Sequence, residues 1–259
     1  MPKGKGGKRL QGKVRRFGKG KRTEQNVNYR IISAEEPMSP AAESFRRLKV
    51  GLDFLSADGR IRVVQVCSSV QGEGKTTVLL NLATVYAEEG KRVLLVDLDL
   101  RRPKMHRAFR IENKKGIADY LAGYEKEEEI VKNVARNIDL VNSGREVPHP
   151  ASVLGSKMLR DFVERMREKY DMILIDCPPT LLVTDACITS GMTDGTIFVV
   201  SQAITEKIAA KEAVGIFRKN NIRLLGCVMT EVSPDLNKRS YYNYHSQYYS
   251  YTDQKNAAK

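Results

Sequence analysis

From residue 30 onward the chain alternates short apolar runs with longer amphipathic stretches. RVVQVCS (62–68), RVLLVDLD (92–99), NIDLVNS (137–143), MILIDC (172–177), TIFVVSQ (196–202) and RLLGCVMTEV (223–232) are nearly unbroken in apolar residues. Strands of that kind are covered on both faces, which predicts a mainly parallel sheet. Helical periodicity fills the intervals: 76–89, 116–135 with a break near Gly123, 156–169, 182–190 and 205–220. Strand and helix in alternation predict a doubly wound α/β domain. Ahead of the first strand, Ser39 suits an N-cap, Pro40 a first turn, and Phe45, Leu48, Leu52 and Leu55 recur at helical spacing. They predict a further helix at about 39–57.

Composition changes this picture only at the ends. The chain has 259 residues, 41% of them hydrophobic, enough for one substantial core. Its formal charge is +13, yet residues 1–22 hold ten Lys or Arg and no acid, leaving only about +3 for the rest. Such a stretch cannot bury enough surface to offset its ordering entropy. The expected organisation is a disordered basic tail over 1–30, a folded domain over 31–232, and a flexible tyrosine-rich tail over 233–259. No apolar segment follows the N-terminal charges, and no apolar run approaches about 18 residues, so neither a signal peptide nor a membrane span is expected. Cys67, Cys177, Cys187 and Cys227 show no CxxC spacing, and His106, His149 and His245 are scattered. Both patterns argue for buried thiols in a reducing compartment rather than a metal site.

The chemistry concentrates after the first strand, in SSVQGEGKTT (68–77). Small residues there let backbone N–H groups of Ser69, Gly72, Glu73 and Gly74 converge on phosphate oxygens, while the following helix adds its N-terminal dipole. Lys75 can reach the β and γ phosphates and the Thr76 hydroxyl can ligate Mg²⁺, with Thr77 completing the turn. Against GxxxxGK[ST] the first glycine is Ser69. A dinucleotide fingerprint would need glycine where Thr77 stands.

Two strand ends downstream are acidic. Asp97 and Asp99 are two apart in an extended segment and share a face, and Asp176 ends the fourth apolar strand. Ligands of open α/β sheets bind at the carboxyl ends of strands, so the three acids are expected beside the phosphate loop. Phosphoryl transfer needs charge neutralisation and alignment of the acceptor rather than covalent chemistry. One carboxylate beyond the needs of the metal points to a hydroxyl acceptor. Asp99 and Asp176 are assigned to the metal and Asp97 to the acceptor, with Asp97 and Asp99 interchangeable.

The segments SSVQGEGKTT, VLLVDLDLRRP and MILIDCPP, with Asp185-Ala186 and Asp194-Gly195 beyond, resemble the bacterial tyrosine kinases that regulate capsule and exopolysaccharide synthesis. In that family the three motifs are the Walker A, A′ and B segments of a P-loop ATPase fold shared with partition and division-site ATPases. The resemblance, over about residues 35–251, implies ATP and Mg²⁺ as ligands and a phosphate or subunit contact for Arg101. It implies ring-like self-association through an ExxRxxR motif, met here by Glu43, Arg46 and Lys49, the last a Lys for Arg. It also implies a membrane-spanning adaptor of the polysaccharide co-polymerase type, and a place at the inner face of the plasma membrane. An asparagine common after the family's last strand is Thr230 here.

The tail YYNYHSQYYSY (241–251) holds six of the eleven tyrosines and almost nothing aliphatic. A flexible linker from the last strand spans roughly 20 Å, which puts the tyrosines within reach of a neighbouring site. By resemblance, Tyr241, Tyr242, Tyr244, Tyr248, Tyr249 and Tyr251 are autophosphorylation sites served in trans. A sticky low-complexity tail and stacking on single-stranded nucleic acid are the other readings. For the whole chain, the competing class is a partition-type ATPase switch on DNA or membrane, surfaces that the basic tail suits. Such switches usually carry a second loop lysine where Val70 stands, and nucleic acid is not expected as a partner.

Overall fold

The computed structural model describes residues 29–56 and 61–233. Among these, a seven-stranded sheet runs in the order β3-β4-β2-β5-β1-β6-β7. Its strands are β1 (Val63–Ser68), β2 (Val93–Asp97), β3 (Val131–Ala135), β4 (Ile138–Val141), β5 (Met172–Asp176), β6 (Gly195–Ser201) and β7 (Leu224–Thr230). All neighbouring pairs are parallel except β3 with β4.

The apolar runs are continuous because helices cover both faces. Val64 and Val66 of β1 belong to the layer with Leu79, Leu82 and Tyr86 of α3 (Lys75–Glu88). Above α3 lie the short α1 (Ile32–Glu35) and α2 (Pro40–Leu55). Ser39 caps α2, its hydroxyl accepting the Ala42 N–H at 3.1 Å, so this helix starts where the sequence places it. Val63 and Cys67 point the other way, into a layer built on Phe162 of α8 (Lys157–Lys169), Ala186 of α9 (Asp185–Thr189) and Phe217 of α10 (Lys207–Lys219).

The interval 116–135 is not one broken helix. It divides into α5 (Ile117–Leu121), α6 (Glu127–Ile130) and the antiparallel strand β3, after α4 (Met105–Ala108) and before α7 (Pro150–Leu154). Gly123 at φ +76° ends the first helical piece. Beyond Ile130, Val131, Lys132, Asn133 and Ala135 pair with the otherwise free edge of β4, with a register shift at Val134, and Asn137 at φ +60° closes the tight turn between the two strands. Edge pairing overrides helical periodicity there. The 182–190 stretch likewise shortens to α9 plus a 3₁₀ turn at Ser190–Met192.

The strand order sets the site. β5 lies between β1 and β2, and Asp176 is the register partner of both Val66 and Asp97. The carboxyl ends of β1, β2 and β5 therefore meet at one point, under the N-terminus of α3. Phe198 anchors the opposite layer, 2% exposed and edge-on to Phe217 at 5.4 Å. Phe198→Ala is expected to lower stability by about 3–5 kcal/mol in urea unfolding, the cost of a cavity at a closed core site; a loss below about 1 kcal/mol would show that this layer is loosely packed.

Candidate active site

The loop between β1 and α3 owes its shape to two glycines and one buried acid. Gly72 (φ +93°) and Gly74 (φ +90°) stand in the left-handed region that side chains disfavour, and a Cβ on Gly74 would lie 3.1 Å from Thr230 Cγ2. Glu73 is wholly buried beneath the loop. Its carboxylate accepts the Ser69 hydroxyl at 2.6 Å, the Val70 N–H at 2.8 Å and the Thr205 hydroxyl. The Thr230 hydroxyl donates to the Glu73 carbonyl at 2.8 Å. Ser69 and Glu73, assigned from sequence to nucleotide binding, thus turn their side chains inward and brace the loop. Thr230, at the position of the family's asparagine, braces it too.

Lys75, Thr76 and Thr77 open α3 and line a cavity of about 310 Å³, together with Gly72, Gly74, Asp99 and Asp176. Thr76 Oγ1 donates to Asp176 Oδ2 at 2.7 Å. Asp97 lies behind the wall, fully buried, and backbone holds it. Its Oδ1 accepts the Asp99 N–H at 3.2 Å, and its Oδ2 accepts those of Lys104 and Met105 at 3.1 Å. A carboxylate oxygen has room for a second donor, so Oδ1 keeps an acceptor lone pair. Asp99 is partly exposed, and its Oδ1 accepts the Arg102 N–H at 3.0 Å. The three aspartates therefore do converge, with Asp99 and Asp176 on the cavity wall and Asp97 one layer deeper.

Burial drives the electrostatics. Desolvation, with Asp176 alongside, holds the Asp97 carboxyl well above the usual carboxylate range. Desolvation also raises Asp176 to about 6, although Lys75 and the Thr76 hydroxyl pull it back. Two such acids on adjacent strands suit a hard divalent cation. Asp176 Oδ1 is buried without a hydrogen-bond partner, and the Thr76 hydroxyl stands beside the same carboxylate, an all-oxygen donor set of the kind Mg²⁺ takes. Thr76, Asp176 and Asp99 would hold the ion, directly or through water.

Other sequence assignments part company here. Arg101 reaches the cavity wall, but its guanidinium is committed to the wholly buried Asp185 through two bonds, Nε to Oδ2 at 2.9 Å and Nη2 to Oδ1 at 3.1 Å. A bidentate pair of this kind leaves Arg101 to tie the loop after β2 to α9 rather than to meet a phosphate. Arg102 and Lys104, which sequence reasoning passed over, supply positive charge to the same cavity. They follow the second acidic motif directly, in LRRPK, and could have been read from it. Tyr29 is the other omission: it lines the cavity from well ahead of the first strand, with no motif to mark it.

Glu43, Arg46 and Lys49 do not act as one surface set. Glu43 is exposed and Arg46 partly exposed on α2, and the two pair at 3.3 Å. Lys49 is 8% exposed and turns inward to Asp53 at 2.9 Å and to Glu89 of the segment after α3. Its ammonium lies 5.6 Å from the centre of the Tyr86 ring. Lys49 thus fastens α2 to its own domain instead of facing a neighbour. Tyr241, Tyr242, Tyr244, Tyr248, Tyr249 and Tyr251, and the basic residues 1–22, lie outside the described residues.

The raised carboxyls have a pH consequence. A folded state that holds protons more tightly than the unfolded chain gains stability below the unfolded value near 4 and loses it as pH rises through the folded one, here about 6 for Asp176. Mg·ADP needs the deprotonated acid. The rise in melting temperature on adding Mg·ADP is therefore expected to be small at pH 5 and to grow across pH 6 to 7.5. A rise that is constant over this range would contradict the cation assignment.

A model described as an AAA domain matches residues 61–210. The tyrosine-protein kinase YwqD of Bacillus subtilis (strain 168) is 36% identical over 231 residues, 89% of this chain and 95% of that one. A putative tyrosine-protein kinase in the cps region of Klebsiella pneumoniae is 31% identical over 206 residues, and there the match spans 78% of this chain but only 28% of the relative. The crystal structure of the chimerical protein CapA2B2 superposes with TM-score 0.74 at 28% identity, covering 77% of this chain and 88% of that one. No described helix is long and apolar enough to cross a membrane. With the phosphate loop, the paired strand-end aspartates and these relatives in agreement, the chain belongs to the bacterial tyrosine-protein kinases of the P-loop ATPase fold.

Proposed function

We propose that this chain transfers the γ-phosphoryl group of Mg·ATP to tyrosine hydroxyls, its own C-terminal cluster among them, and thereby regulates assembly and export of a capsule or exopolysaccharide. The observation that carries the reading is the meeting of Lys75, Thr76, Asp99 and Asp176 around one cavity, with Asp97 behind it. The loop N–H groups and Lys75 bind and align the phosphates, and Arg102 and Lys104 offset their charge. Thr76, Asp176 and Asp99 would hold Mg²⁺, which would supply charge neutralisation on the phosphates. The acceptor phenol loses its proton to Asp97, whose raised affinity for protons makes it a better base than an exposed aspartate. The new bond joins the phenolic oxygen to the γ-phosphorus as the bond to the bridging oxygen breaks, and ADP leaves.

Neighbouring copies present Tyr241, Tyr242, Tyr244, Tyr248, Tyr249 and Tyr251 in trans within a ring-like oligomer, and Glu43 and Arg46, paired with each other on the outer side of α2, are the residues of the association motif placed to contact the next copy. The basic N-terminal segment and the segment 233–259 serve as tails of the folded unit, which takes in Tyr29 and Arg30 and so begins before the boundary at residue 31. A membrane-spanning adaptor of the polysaccharide co-polymerase type holds the kinase at the inner face of the plasma membrane, aided by the basic tail at an anionic surface. The relative named for a cps region supports the pathway. A partition-type switch finds less support, because Val70 occupies the place of the second loop lysine.

The test is to incubate the protein with Mg·ATP and map modified residues by mass spectrometry. Phosphotyrosine within 241–251 is expected, with Asp97→Asn slowing transfer by about 10²-fold or more. Release of ADP without phosphotyrosine, on the protein or on an added tyrosine polymer, would favour the switch and overturn the kinase reading.

A further inference from the structure

The two edges of the sheet are finished differently. At one, β3 runs antiparallel to its neighbour and carries Lys132 and Asn133. At the other, β7 reads LLGCVMT from Leu224 to Thr230, with no charge and no proline. No described residue pairs with its outer side. Leu224, Gly226, Cys227 and Met229 of this strand are exposed, and a Cβ on Gly226 would meet nothing. Soluble proteins blunt free edges with charges, prolines or a covering element, because a bare edge is a template for another strand. The Thr230 carbonyl accepts the Gln202 N–H at 3.0 Å, so the backbone groups of Thr230 face β6. Such groups alternate sides along a strand, which turns those of Cys227 and Met229 outward.

We infer that this edge is an interface between two copies of the chain, in which β7 pairs antiparallel with β7 of a second copy about a two-fold axis at Cys227. Charge selects the occupant and the axis. Arg223 and Glu231 bracket the strand, both exposed, each four residues from Cys227. An antiparallel pair centred on Cys227 brings Arg223 of each copy beside Glu231 of the other, giving two ion pairs at the ends of a neutral strand. Parallel pairing in register would set like charges together. Leu225 is skipped in the pairing with β6, a bulge that displaces Arg223 by about one residue, within reach of a long guanidinium side chain. Opposed residues with outward backbone groups exchange both hydrogen bonds, their Cα atoms about 5.5 Å apart. That lies within the span of a disulfide, about 4.4–6.8 Å. In this pair the carboxyl edges of the two sheets point opposite ways, so the chain beyond Thr230 leaves each copy on the side away from its partner's phosphate loop. The contact is therefore separate from a ring that serves tyrosines in trans, and it does not rest on the kinase reading.

The test oxidises the full-length protein with diamide at pH 8, resolves it without reductant and maps the crosslinks by mass spectrometry. A covalent dimer joined from Cys227 to Cys227 is expected. Moving the thiol in Cys227→Ser with Met229→Cys sets the two sulfurs four positions out of register, about 14 Å apart, and the dimer yield is expected to fall about tenfold or more. Glu231→Arg opposes two arginines and is expected to lower the yield at Cys227 about fivefold, and adding Arg223→Glu is expected to restore it. A thiol at 229 that joins as readily as the one at 227 would reveal random collision and overturn the pairing. An unlinked Cys227 would overturn it as well: slow deuterium exchange at the Met229 amide would then show the edge covered by the chain's own C-terminal segment, and fast exchange would show it bare.

Discussion

Two buried carboxyl groups lie side by side on neighbouring parallel strands, and the site is organised around that fact. Asp97 and Asp176 are register partners at the ends of β2 and β5. Adjacent strands lie about 4.8 Å apart, too close for two buried anions to coexist without compensation. The protein compensates partially. Backbone N–H groups after β2 serve Asp97, and the Thr76 hydroxyl and Lys75 serve Asp176. One oxygen of Asp176 is left without a partner. A cation would complete the arrangement, and Thr76, Asp176 and Asp99 are the residues that would hold it.

The phosphate loop is built to the same standard from the other side. A buried glutamate under the loop is an unusual brace, but it meets two hydroxyls and a backbone N–H, so its charge is well satisfied. Thr205 and Thr230 bring the segment after β6 and the end of β7 into that network. Arg101 does the same for the loop after β2 by closing on Asp185. What the three motifs share is less a set of ligands than a set of ties that keep the ligands still.

Much of this was legible in the sequence, for identifiable reasons. Unbroken apolar runs report burial on both faces, so β1, β2 and β5 were placed to within a residue or two, and strand ends carrying acids next to GKTT indicated a shared edge. The helix over Val131–Ala135 was misread because an unpaired strand edge of β4, invisible in one dimension, captured a stretch of helical periodicity. Lys49 was misread because nothing in the motif marks its inward turn to Asp53 and Glu89. Glu73 and Ser69 were placed in the loop for their backbone N–H groups, and nothing in the motif marked the inward turn of their side chains. Tyr29 had no local signal at all, because only the buried Asn81 brings its segment to the cavity.

The central claim is that the facing aspartates oppose each other until a cation joins them. Asp176→Asn tests it most directly, since the amide oxygen can still accept the Thr76 hydroxyl while the charge is gone. At pH 8, with no metal or nucleotide, the variant is expected to unfold at higher urea than the parent, and magnesium is expected to add little to its affinity for ADP. A variant that unfolds earlier, or that keeps the parent's magnesium dependence, would contradict the account.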